Sequence, residues 1–125
     1  MDKKGGDFMR LDYDLIREIL LKVECFSDGV RGYEPPKFAE EQLPDRNKQA
    51  VLYHIKYLRN AHLIEPFFTN DWIIDLSPAG HEYLNNIRTE TAWKQVKQKV
   101  QPLGSAALSV MADVARALVL SKLGL

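Results

Sequence analysis

The chain has 125 residues with 46% hydrophobic and 27% charged side chains, a size and balance that suit one globular domain and exclude wholesale disorder. Its 17 basic and 17 acidic residues cancel, which argues against a dedicated polyanion binder, and one cysteine excludes an internal disulfide and fits a reducing, cytoplasmic setting. Charge is nonetheless uneven: residues 45–62 carry net +3, residues 63–87 net −4 and residues 88–99 net +3.

Residues 1–10 are polar, with Lys3, Lys4 and two glycines, and are expected to be a flexible N-terminus; no apolar run follows to make a signal peptide. From Asp12 to Cys25, Leu15, Ile16, Ile19, Leu20 and Val23 recur at the spacing of one helical face. Asp12 or Asp14 is placed to cap this helix, and Cys25 reads as a small buried residue near its end.

Residues 26–44 hold the breakers Ser27-Asp-Gly29, Gly32 and Pro35-Pro36, and Lys37-Phe-Ala39 is expected to form a short edge strand. A second helix is expected from Asp45, its N-cap, to Ala61. Val51, Ile55, Leu58 and Ala61 make its apolar face, with His54 and His62 at the margin. Arg46, Gln49, Tyr53, Lys56, Tyr57 and Asn60 fall on the other side.

Two β-prone runs, Ile64–Thr69 and Trp72–Leu76, flank Asn70-Asp71 in a hairpin pattern. Ser77-Pro78 starts a helix with Ala79, Tyr83, Leu84 and Ile87 facing a core. Another helix, from about Thr91 to Val100, turns Trp93, Val96 and Val100 inward and its lysines outward. A last helix runs from Ser105 to about Leu123 after the breakers Pro102 and Gly104. It is apolar almost all round, so it is expected to be buried on its own domain or against another copy. Asp113, Arg116 and Lys122 argue against its crossing a membrane.

The stretch Tyr53-His-Ile-Lys-Tyr-Leu-Arg-Asn-Ala-His-Leu-Ile-Glu65, followed by a hairpin, resembles the close of the recognition helix in winged-helix regulators. His62 stands where those proteins usually have glycine. The blocks Asp14–Glu24, Tyr53–Leu58, Gly80–Leu84 and Ile87–Lys94 look like an uncharacterised bacterial family, a domain of unknown function frequent in prophages and other mobile elements. The resemblance implies an α+β, mainly helical winged helix-turn-helix over residues 11–88 with a two-helix C-terminal extension over 89–125.

For that fold, the helix after Asp45 would enter the major groove of double-stranded DNA, as in a transcription regulator. Arg46 and Gln49 would reach base edges, while Lys48, Tyr53 and Lys56 would touch phosphates, with Asn47 in the same block. The acidic hairpin, bearing Glu65, Asp71 and Asp75 and no cation, opposes this and favours a second reading: a module that binds a host protein. The terminal helix supplies candidate interaction or homodimer residues Leu108, Met111, Leu118 and Val119. The histidines lack a metal-like set and no nucleophile or phosphate loop stands out, so no catalytic residue, metal, cofactor or membrane contact is expected.

Overall fold

In the computed structural model, which describes residues 10–66, 70–103 and 107–124, the first helix, α1, runs Tyr13–Phe26. Asp12 caps it: its carboxylate accepts from the Leu15 amide at 3.0 Å. Leu15, Ile16, Ile19, Leu20 and Val23 are all buried, as their spacing predicts. Cys25 is exposed instead of buried, because two residues beyond Val23 is more than half a turn around the helix.

The connection that follows departs from expectation. Lys37–Ala39 is no strand but the middle of a helix, α2 (Pro35–Gln42). Prolines at the first two positions forfeit only amides that lack helical partners anyway, and the turn they start buries Phe38 and Ala39. The extended residue of this stretch is Tyr33. Phe26, Tyr33 and Phe38 stack edge to face, with centroids 4.8–5.9 Å apart.

Helix α3 spans Lys48–Asn60 and is capped by Asn47, not Asp45: the Asn47 side chain accepts from the Ala50 amide at 2.9 Å. It buries Val51, His54, Ile55 and Leu58 and packs against α1 and α2. Each fully buried aliphatic side chain there contributes about 1.5–3 kcal/mol. Ala61 is exposed, because the helix ends before it completes that face. The exit is a left-handed turn made by a non-glycine residue. His62 has φ 64°; its amide donates to the Arg59 carbonyl at 3.1 Å and the Leu63 amide to the Leu58 carbonyl at 2.9 Å. That pattern closes two orphan carbonyls and brings Leu63 back beside Leu58.

Strands β1 (Ile64–Pro66) and β2 (Ile73–Leu76) pair antiparallel, Ile64 with Leu76 and Glu65 with Asp75. The register then slips, and Ile74 is the extra residue. Pro66 has no amide to give the ladder at that point. The Ile74 carbonyl is satisfied from elsewhere: Ser27 Oγ donates to it at 2.9 Å. On the other side of β2, Tyr33 and Ile73 exchange both backbone hydrogen bonds, at 2.8 and 2.9 Å. Phe67, Phe68 and Thr69 of the expected hairpin lie outside the described residues, as do the expected flexible N-terminus, Arg10 apart, and the expected start of the last helix at Ser105.

Ser77 caps α4 (Pro78–Ile87), accepting from the Gly80 amide at 3.0 Å and donating to the His62 carbonyl at 2.5 Å. Gly80 is where the backbone of α4 meets the chain leaving α3, and a Cβ there would lie 2.1 Å from the Leu63 carbonyl oxygen. The chain divides into two compact units between Gly80 and His81. The second holds the rest of α4, then α5 (Glu90–Val100), a 3₁₀ turn at Gln101–Leu103 and α6 (Leu108–Lys122). Thr89 caps α5, which packs on α6; Trp93 and Val96 are buried, and the Lys97 ammonium lies 5.4 Å from the centre of the Trp93 ring. The architecture is α+β: six helices with a small two-stranded antiparallel sheet among the described residues.

Two substitutions test these joints. Gly80→Ala forces backbone apart and should lower unfolding free energy by about 1–3 kcal/mol in urea denaturation. His62→Gly relieves the left-handed strain and should raise it by roughly 0.5–1 kcal/mol; an unchanged or lower midpoint would refute the strain at His62.

Candidate functional site

The sequence places its candidate contacts around the N-terminal half of α3, and the structure divides them into two groups. Gln49, Tyr53, Lys56 and Asn60, at i, i+4, i+7 and i+11, form one outward stripe along the helix. Gln49, Lys56 and Asn60 are exposed and Tyr53 is half-buried. The opposite face is fixed by burial, so α3 cannot roll to change what it presents.

Arg46, Asn47 and Lys48 are otherwise engaged. Arg46 precedes the helix, and its guanidinium holds Glu18 on α1 in a two-pronged pair at 3.1 and 2.7 Å and reaches Asp12 at 3.4 Å. The hydrogen bond to Glu18 is the main cause that raises the Arg46 pKa above its ordinary value. Asn47 is used as the cap. Lys48 pairs with Glu40 of α2. At the far end, Arg59 leans to Asp71 of the hairpin, 3.9 Å from its carboxylate and 3.4 Å from its carbonyl. Lys56 is thus the α3 cation without an ion pair among the described residues.

His54 is buried at 1% exposure, not marginal. The Asp12 amide donates to its Nε2 at 2.8 Å, while Nδ1 lies 2.7 Å from the Ala50 carbonyl. An acceptor at Nε2 and a donor at Nδ1 define a neutral ring with its proton on Nδ1. Its role is to join α1 to α3. His54 is therefore a satisfied core residue. Among the described residues no group of three or more His, Cys, Asp or Glu side chains is arranged to hold a metal ion, and no helix is long and apolar enough to cross a membrane.

A second feature lies beside the sheet. Phe26, Tyr33 and Trp72, with Asp28, Arg31, Glu34, Lys37 and Glu41, line an open cavity of about 450 Å³. Trp72 is 41% exposed, just before the strand that Tyr33 joins. The Tyr33 hydroxyl donates to Glu41, and burial followed by that contact raises its pKa. Asp28 closes the entry loop by accepting from the Val30 amide (2.9 Å), the Arg31 amide (3.0 Å) and the Arg31 side chain (2.8 Å).

Residues 10–106 match the family described as "Hypothetical protein (DUF2513)", which takes in everything from α1 through α5 and ends before α6. The chain belongs to this family. A Haemophilus influenzae protein described as an "Uncharacterized protein" is 33% identical over 99 residues, covering 74% of this chain and 80% of its own. No solved structure matches.

Within this member of the DUF2513 family, the outward stripe of α3 was legible from helical spacing alone. The aromatic cavity was not, because it needs Phe26, Tyr33 and Trp72 from three separate segments. Two candidates of the terminal helix, Leu108 and Met111, are buried within the chain, and Leu118 and Val119 are half-buried.

Asp28 offers a direct electrostatic check. The Arg31 amide first, then the Val30 amide and the Arg31 side chain, hold its pKa down at about 2. The loop contribution is therefore complete above the ordinary carboxylate pKa of about 4 and fades as pH falls through the folded value. A side-chain carboxyl ¹³C titration should place Asp28 near 2, and a midpoint near 4 would mean the loop does not hold these bonds.

Proposed function

We propose that the chain is a non-catalytic winged-helix module that docks on duplex DNA through the outward stripe of α3, acting as a transcription regulator. The observation that carries this is the Tyr33–Ile73 bridge. It turns the element order into helix, extended residue, helix, helix, strand, strand, with the first extended residue beside the last strand; this is the order of a winged helix. On this reading α3 is the recognition helix and the β1–β2 hairpin is the wing. The left-handed turn at His62 supports it, supplying the exit that these domains usually make with glycine.

The chemistry of the stripe suits the task. The amides of Gln49 and Asn60 match the paired donor and acceptor of adenine, and Lys56 and Tyr53 reach phosphates. Lys48 gives up a surface ion pair worth about 0–1 kcal/mol, which a phosphate can replace. Arg46 serves the fold in this reading and does not read bases.

One set of observations favours a second reading, a protein partner with a cationic surface. Residues 10–80 carry nine Lys and Arg against twelve Asp and Glu, and the wing bears Glu65, Asp71 and Asp75. An acidic wing repels a phosphate backbone. The exposed Trp72 beside the aromatic cavity would serve as the anchor of such an interface.

A titration of labelled duplex DNA across a salt series separates the two. DNA docking predicts affinity that falls steeply with salt, a slope reduced by about 1 in Lys56→Ala, and loss of discrimination worth about 1–3 kcal/mol in Gln49→Ala. Absence of binding at low salt overturns the DNA reading. The protein reading then predicts that Trp72→Ala, and not Gln49→Ala, abolishes capture of the partner.

A further inference from the structure

The last helix leaves part of its apolar surface uncovered. Leu108, Met111 and Ala115 turn into the second unit, as a helix facing α5 should. On the reverse side Val110 is 36% and Leu120 40% exposed, with Ala117, Ser121 and Gly124 beside them. Val110, Asp113, Ala117 and Leu120 recur at alternating steps of three and four along this outer side of α6, and Gly124 follows just past its end. Four of these outward residues, Ala117, Leu120, Ser121 and Gly124, line a shallow depression. Ala117, Leu120 and Ser121 supply three corners of a hole of the kind that receives a knob from a facing helix, and Gly124, in a left-handed turn just past the helix end, closes the fourth.

We propose that this outer face of α6 is where two copies of the chain pair, antiparallel, with Val110 of each seated in the depression of the other. A hole centred between Leu120 and Ser121 and a knob at Val110 place the two-fold axis at the level of Ala115. In that register Asp113 of one copy faces the Ala117–Leu118 step of the second, within roughly 2 Å along the axis of Arg116. The charges then complement each other twice, Asp113 with Arg116 in each direction. A parallel pairing would instead oppose Asp113 to Asp113 and Arg116 to Arg116, so charge selects the antiparallel orientation. Arg116 also holds Glu82 of its own chain at 3.1 Å. Both groups are well exposed, so turning the guanidinium toward the second copy costs little. Small side chains at Ala117, Ser121 and Gly124 let the helices approach. The face differs from the one the sequence points to, whose Leu108 and Met111 are already used inside the unit.

A 15-residue helix is about 22 Å long, so one such contact lies at the small end of specific interfaces. Association is accordingly expected at high protein concentration. Sedimentation equilibrium of the full chain up to about 1 mM tests it. Leu120→Lys should abolish the dimer. Asp113→Arg and Arg116→Asp alone should each weaken it about tenfold, and the double exchange should restore it. Circular dichroism checks that each variant stays folded, as substitutions at exposed positions should. A monomer at all concentrations overturns the proposal. So does a dimer indifferent to Leu120→Lys, or single-charge variants that the double exchange fails to rescue.

Discussion

Asp12 uses three of its atoms at once. One carboxylate oxygen caps α1, the other meets the Arg46 guanidinium, and the backbone amide donates to buried His54 on α3. Arg46 in turn grips Glu18 one turn and a half further along α1. These contacts tie the start of α1 to the entry and the middle of α3 across 34 and 42 residues of chain. Hydrophobic burial drives the two helices together but has little direction of its own. Hydrogen bonds with fixed geometry set the angle and register at which the buried faces meet.

Because α3 is held in this way, its outer stripe has a defined orientation. The buried set Val51, His54, Ile55 and Leu58 and the exposed set Gln49, Lys56 and Asn60 are two readings of one helical period. The Schellman turn at His62 then fixes where β1 begins, and Ser77, bonded to the His62 carbonyl, fixes where α4 begins. The turn at His62 and the Ser77 contact fifteen residues on thereby carry the position of α3 into the hairpin and the next helix. The Leu63 carbonyl accepts from the Ser77 amide and lies directly under Gly80, which leaves no room for a side chain.

Electrostatics separates residues that build the unit from residues left outward. Arg46, Lys48 and Arg59 are each placed near carboxylates from a neighbouring element, so most of the local positive charge around α3 is compensated internally. What remains outward on the helix is chiefly hydrogen-bonding: two amides, a phenol and one ammonium. Such a surface discriminates by geometry more than it attracts by charge. The apolar character of α6 is divided in the same fashion, with one face used for the unit's own core and the other left outward.

The sequence by itself determined the elements whose causes are local. Helical spacing gave the buried residues of α1 and the buried aliphatic residues Val51, Ile55 and Leu58 of α3, cap-forming side chains at Asp12 and Ser77 stand next to the turns they start, and the hairpin is visible as two β-prone runs. Even α2 had a local signal, since two prolines favour a first helical turn, but the β-prone look of Lys37-Phe-Ala masked it. Other features depended on partners distant in the chain. Tyr33 is extended because Ile73 offers it two hydrogen bonds, Asn47 rather than Asp45 caps α3 because Arg46 is drawn back to Glu18, and His54 is buried because the Asp12 amide awaits it. Which side of α6 is covered was likewise open, as its apolar residues encircle the axis and only packing on α5 selects a face. Periodicity and capping act over a few residues and can be read along the chain; bridges and ion pairs act across it and exist only once the elements are assembled.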